Sequence, residues 1–239
     1  TSIYLVDRTI PMLPEILSND LCSLNPDEDK LTFSAIFTMN RAGEVLSTRF
    51  AKTVIRSQKR FTYEEGQVVL DKKNGPLADE LTVLNQLAER LRQKKIAAGA
   101  ITFENEEIKF ELDAAGRPLR VFKKVRTAIH LLVEDFMLLA NRAVAEYVSR
   151  LIGNRDHHFI YRIHDLPDQD KLKQLADFLR PLGYHLPFKK GRIDSGDLNR
   201  FLESVAGKPE ETMIKTAAMR AMAKAVYDTK NIGHYGLAF

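Results

Sequence analysis

Residues 129–141 read IHLLVEDFMLLAN, and this run sets the adjacent carboxylates of Glu134 and Asp135 among apolar neighbours. On a helix, Glu134 shares a face with His130, Leu138 and Asn141, offset from the main apolar stripe. Asp135 projects about 100° away and need not share its role. A carboxylate in apolar surroundings is costly unless it is paired or hydrogen-bonded. Two readings are open. One is a core glutamate satisfied by an arginine elsewhere. The other is a site residue that positions a polar ligand, with His130 and Asn141 beside it.

A second stretch, NRDHHFIYRIHD, uses the vocabulary of metal ligands: Asp156, His157, His158, His164 and Asp165. A metal-dependent phosphoesterase would set such a triplet at the end of a strand beside further acidic ligands. Here the triplet precedes the strand, and adjacent histidines point to opposite faces of an extended chain. A solvated loop is the expectation for Asp156, His157 and His158, with no metal bound.

The bulk numbers bound the rest. A chain of 239 residues can bury a sizeable core in one large domain or two small ones. Its 44% hydrophobic and 28% charged content is that of a globular protein. The net charge of +4 permits a polyanionic partner without demanding one. Lys59–Arg60, Lys94–Lys95, Lys123–Lys124 and Lys189–Lys190 are candidate phosphate contacts or solvated surface. Cys22 is the only cysteine, which rules out an internal disulfide and fits a reducing cytoplasm. No apolar run approaches the ~18 residues of a membrane span, and no signal peptide opens the chain. The opening TSIYLVDRTI lacks an initiator methionine, so the chain is expected to be a piece of something larger.

The elements that must carry these residues follow from periodicity. LTFSAIFTM and EVLSTRFAKTVIR flank NRAG, a hairpin signal with Gly43 free to take positive φ. Leu77, Leu81, Leu84, Leu87 and Leu91 predict a helix over 76–95. EIKFEL and PLRVFKKV, joined at DAAG, make a second hairpin. A long helix is predicted over 127–151, with Ile129, Leu132, Phe136, Ala140, Ala143 and Tyr147 as its buried stripe. FIYRI reads as a strand. Leu172, Leu175, Leu179 and Leu182 define a helix ending at Gly183; further helices are expected over 194–205 and 209–227. The fold class is mixed α+β, mainly antiparallel strands with covering helices.

Longer words in the sequence resemble those of a known family. The opening TSIYLVDRTIPMLPEILSNDLCSLNPDEDKLTFS resembles the segment after the catalytic acidic motif of the RNB-domain exoribonucleases, the ribonuclease II and ribonuclease R family. VEDFMLLANRAVAEYV resembles that family's helix with two acidic residues, and FIYRIHDLPDQDKLKQL and NIGHYGLAF match two further blocks in the expected order. The resemblance spans essentially the whole chain and is nearer to the ribonuclease R branch.

That resemblance implies magnesium-dependent hydrolysis of single-stranded RNA from its 3′ end, releasing nucleoside 5′-monophosphates, with no preference for DNA. It implies that Tyr4 and Phe103 are clamp aromatics, that Tyr63 lies near the terminal sugar, and that Glu134 holds the 3′-terminal nucleotide in the catalytic site. Arg126 and His130 are candidates for the channel wall. Asp135 stands where the family more often has a second glutamate. The family's metal-binding aspartates belong upstream of Thr1, and an arginine-bearing segment belongs beyond Phe239. Residues 1–239 are thus expected to be the central part of one RNB catalytic domain. Such a piece is expected to be inactive alone, to hold no metal of its own, and to be a cytoplasmic monomer. The rival expectation is a non-catalytic RNA-binding or scaffold module of the same fold.

Overall fold

The computed structural model describes residues 2–101, 108–152, 159–188 and 193–239. It begins with strands β1 (Ile3–Tyr4) and β2 (Thr9–Ile10), a π-helical segment (Ile16–Leu21), and strands β3 (Asp29–Met39) and β4 (Val45–Arg56). Helices α1 (Tyr63–Lys72) and α2 (Ala78–Ala97) follow, then strands β5 (Ile108–Leu112) and β6 (Pro118–Lys123) and the long helix α3 (Ala128–Ile152). Strand β7 (Tyr161–Ile163), helices α4 (Gln169–Leu179), α5 (Ser195–Ser204) and α6 (Glu211–Ala221), and strand β8 (Val226–Asp228) complete the order. The strands pair antiparallel as β1–β2, β3–β4, β5–β6 and β7–β8. This is the α+β class that the patterns predict. The chain divides into two compact units, Thr1–Glu89 with Asn105–Ala143, and Arg90–Glu104 with Val144–Phe239. No described helix is long and apolar enough to cross a membrane.

In the first unit the β3–β4 register runs from Asp29 opposite Arg56 to Met39 opposite Val45, shifting once between Thr38 and Met39. The intervening turn is built by Asn40, whose Oδ1 accepts from the N–H groups of Ala42 at 3.0 Å and Glu44 at 2.9 Å. Gly43 takes φ 69°, where a side chain would be strained. Asp113 shapes the β5–β6 turn in the same way, accepting from Ala115 and Arg117 N–H at 2.9 Å each. The side chains of β3 alternate as strands require, but in an unexpected sense. Thr53 hydroxyl contacts of 2.7 Å to Thr32 and 2.6 Å to Ser34 lie on the more covered face. Leu31 and Phe33, on the other face, are 88% and 84% exposed.

The helical core of this unit joins Ala88 of α2 with Ile129 and Leu132 of α3, packed by Leu70, Leu81 and Phe136. These α3 residues begin the predicted stripe; further along, Ala140 and Ala143 are half-buried and Tyr147 is exposed. Helix α1 has no counterpart among the elements that apolar spacing predicts. Its signal is a capping box: Thr62 Oγ1 accepts from Glu65 N–H at 3.1 Å, and the Glu65 carboxylate accepts from Thr62 N–H at 2.9 Å.

In the second unit, α4, α5 and α6 share one core, with Leu172, Leu179, Leu198, Val205 and Ile214 almost fully enclosed. Asp168 caps α4 through the N–H groups of Asp170 and Lys171 at 2.8 and 3.2 Å, and Asp194 caps α5 through Gly196 N–H at 2.8 Å. The helix expected over 209–227 stops at Ala221. Met222 turns extended at φ −71°, ψ 148° and buries its side chain, and Val226–Asp228 pairs with β7 instead. Val226 and Tyr227 suit a strand. Arg162, opposite Tyr227 in that pair, sets its guanidinium 5.0 Å from the ring centroid, a contact a continued helix would forgo.

Candidate nucleic-acid interface

Tyr63 is the first residue of α1, so the Thr62–Glu65 box that starts the helix also fixes where Tyr63 stands. Helix α1 packs on the first turn of α3. A Cβ at Gly66 would meet the Ile129 side chain at 3.5 Å, and Gln67 Oε1 accepts the Ile129 N–H at 3.3 Å. That bond satisfies one of the donors a helix start leaves open. Thr127 precedes α3, and His130 takes the place that glutamate fills in a standard capping box. Its Nδ1 accepts the Thr127 N–H at 3.3 Å and lies 2.8 Å from Thr127 Oγ1, so the neutral ring carries its proton on Nε2. The imidazole lies flat on the Tyr63 ring, with centroids 3.9 Å apart and 7° between the planes.

Glu134 stands one turn beyond His130 on the same face of α3. Its half-exposed carboxylate accepts from Arg126 Nη2, so the arginine partner of the first sequence reading is present, but outside a core. The enclosed acid is Asp135, at 4% exposure. Three residues after Leu132, it follows the apolar stripe inward, whereas Glu134 points off that stripe. The expectation of a buried Glu134 is corrected accordingly.

The structure therefore brings Tyr63, His130, Glu134 and Arg126 to one helix junction. Tyr4 stands on β1 opposite Thr9, 79% exposed, and is not part of the Tyr63–His130 stack. Phe103 lies outside the described residues. Asn141 is exposed, two turns beyond Glu134 on α3. Lys59 lies over the Phe61 ring at 5.3 Å, while Lys94, Lys95, Lys123 and Lys124 each have interaction partners. Lys189 and Lys190 are outside the described residues. The sequence reading missed the Tyr63–His130 stack; Thr127 three residues before His130 was the local signal for a cap, but nothing local points to Tyr63.

Asp156, His157 and His158 also lie outside the described residues. His164 does not, and it is a joint. Its Nε2 donates to the Ala223 carbonyl at 2.9 Å and its Nδ1 accepts from Gly236 N–H at 3.1 Å. A Cβ at Gly236 would come within 2.9 Å of that Nδ1, so the second glycine of GHYG is a steric requirement. The His234 ring meets His164 edge-on at 4.9 Å, and burial, followed by the nearby His164, pushes the His234 pKa below its ordinary 6.5. Burial and then Asp194 push the Tyr235 hydroxyl up to about 12. Among the described residues no three His, Cys, Asp or Glu side chains are grouped as a metal ion would need. The imidazoles of His164 and His234 do not supply the oxygen ligands that magnesium takes.

The whole chain, residues 1–239, matches the RNB domain. The chain belongs to the RNB-domain family. Ribonuclease R of Escherichia coli is 36% identical to this RNB chain over an alignment of 244 residues that covers 100% of the chain and 29% of the relative. Ribonuclease R of Thermotoga maritima is also 36% identical, over 100% of the chain and 34% of the relative. The chain thus spans 29% and 34% of the lengths of these two relatives. Among solved structures, Mycoplasma genitalium RNase R in complex with double-stranded RNA superposes with a TM-score of 0.88 at 24% identity, over 99% of this chain and 42% of that one. Yeast Ssd1, a pseudonuclease, superposes at 0.72 with 16% identity, over 99% of this chain and 29% of that one. These two share the RNB fold with the chain.

Proposed function

We propose that this chain is the central part of the catalytic domain of a 3′-to-5′ exoribonuclease. The longer enzyme hydrolyses single-stranded RNA to nucleoside 5′-monophosphates, as a cytoplasmic monomer without preference for DNA. Its magnesium is held by acidic residues supplied outside these 239 residues. What supports the site assignment is the stack of the exposed aromatic Tyr63 on His130, one helical turn before the accessible carboxylate of Glu134 on α3.

Each side chain has a physical task in that reading. Aromatic faces at Tyr4, Tyr63 and Phe103 hold nucleotides whatever their base, at about 1–3 kcal/mol per stacked base. The Glu134 carboxylate accepts a hydrogen bond from the 2′-hydroxyl of the terminal ribose, the group that separates RNA from DNA. Arg126 orients that carboxylate before RNA arrives.

In the longer polypeptide, Tyr63→Ala and Glu134→Gln are each expected to lower the preference for a ribose over a 2′-deoxyribose 3′ end by about tenfold or more, because a site built to pair a hydroxyl discriminates strongly. Gel analysis of the digestion endpoint should shift as well. If both variants keep the wild-type preference and endpoint, the assignment is wrong. The 239-residue chain alone, supplied with magnesium, is expected to release no mononucleotides.

The likeness to yeast Ssd1 favours a second reading, an RNA-binding module without hydrolysis. RNA binding by the longer polypeptide with no turnover of single-stranded RNA selects that reading; turnover selects the first.

A further inference from the structure

Tyr63 and Glu134 sit on different helices, and two half-exposed side chains on separate elements do not keep a common geometry by themselves. We infer that His130 is the positioning residue of this site, holding the Tyr63 ring in register with Glu134 by stacking on it from the α3 side. This rests on the ribose-reading role given to Tyr63 and Glu134 under the proposed function.

Three observations place His130 in that role. First, the contact is a parallel stack at 3.9 Å with a 7° tilt, which covers one face of Tyr63 while the residue keeps 44% of its surface open. Second, the imidazole is itself held. Thr127 engages Nδ1 through both its N–H, at 3.3 Å, and its hydroxyl, at 2.8 Å, tying the ring to the start of α3. Third, Glu134 lies four residues further along the same helix, so the plane of Tyr63 and the direction of the carboxylate share one rigid reference. The Gln67–Ile129 hydrogen bond and the contact at Gly66 hold the backbones of α1 and α3 together but leave the Tyr63 ring free to turn about its own side-chain bonds. His130 is what fixes that remaining freedom.

A ring that supports a nucleotide from behind acts through geometry. Small misplacements of a positioning group cost rate more than affinity. The test uses the longer polypeptide with His130→Ala, His130→Phe, Thr127→Val, Tyr63→Ala and the Tyr63→Ala/His130→Ala pair. Cleavage of RNA ending in ribose or in 2′-deoxyribose is followed with kcat and KM separated. His130→Ala is expected to lower ribose discrimination about tenfold, mainly in kcat. His130→Phe keeps a flat ring against Tyr63 and should restore most of that loss, whereas a general loss of folding would not be rescued. The pair should be no worse than Tyr63→Ala alone, because His130 acts through Tyr63. Thr127→Val, which leaves both rings and the backbone N–H contact in place but removes the hydroxyl contact to Nδ1, should give an intermediate loss, and it decides the matter if His130→Ala does not fold. Unchanged discrimination in His130→Ala, no rescue by phenylalanine, or a further loss in the pair each overturns the inference. If Tyr63→Ala alters discrimination and His130→Ala and Thr127→Val do not, only the inference fails. If Tyr63→Ala alters nothing, the site reading fails, and with it the task assigned to His130.

Discussion

Arg126 and Glu134 make a visible ion pair, yet both side chains are more than 40% exposed, so water screens most of their attraction. Arg126→Gln is therefore expected to change unfolding free energy by no more than about 1 kcal/mol, read from urea denaturation. Substitution in the GHYG joint should be felt more. Gly236→Ala places a methyl against His164 Nδ1 and disturbs the bond from Gly236 N–H, a change expected to cost about 1–3 kcal/mol. The same joint sets a pH dependence. The unfolded chain protonates His234 near 6.5, whereas the folded chain resists until a lower pH, because burial and the neighbouring His164 and Arg162 disfavour the cation. The stabilisation from a neutral His234 is complete above about 6.5 and is lost as the pH falls through the lower folded value. Urea midpoints should fall less steeply with acidification in His234→Gln than in the unaltered chain.

Helix α1 shows how an element can be short and still decide where a site lies. Thr62→Ala removes the hydroxyl that accepts the Glu65 N–H, and is expected to cost about 1 kcal/mol of stability in the same measurement. The hairpins and α4 were legible because their information is local: alternation with NRAG or DAAG between strands, and Leu172, Leu175 and Leu179 at helical spacing. Helix α1 carried a readable cap but only a weak apolar pattern, so apolar spacing gave no hint of it. The end of α6 was hidden for the opposite reason. Ala217, Ala218, Ala221 and Ala225 favour helix, and the competing strand depends on Arg162 and Ile163, far back in the chain. The exchange of roles between Glu134 and Asp135 has the same origin. Periodicity marks an apolar face, but which side of it becomes enclosed was settled by packing against Leu70, Leu81 and Ala88.

At the scale of the whole chain, the RNB fold is common to ribonuclease R and to a pseudonuclease, so activity depends on the residues the fold presents. The family words made Tyr63 and Glu134 legible as candidates; the support behind them was not, since the stack joins residues distant in the chain. The first unit also presents an apolar strand face, with Leu31, Phe33 and Val54 all more than 60% exposed. Such a face promotes self-association. Replacing Leu31 and Phe33 by threonine is expected to lower dye binding and aggregation of the 239-residue chain in light scattering, while Thr32, Ser34 and Thr53 keep the hairpin paired. That face has a consequence in time as well as in space. The β3–β4 ribbon is complete by Arg56, whereas the first enclosed apolar side chain is Val69. During synthesis the ribbon is complete before the residues that build the two helical cores have been added. Chaperones that capture nascent apolar segments are therefore expected to hold Leu31 and Phe33, and the same threonine replacements should weaken that capture.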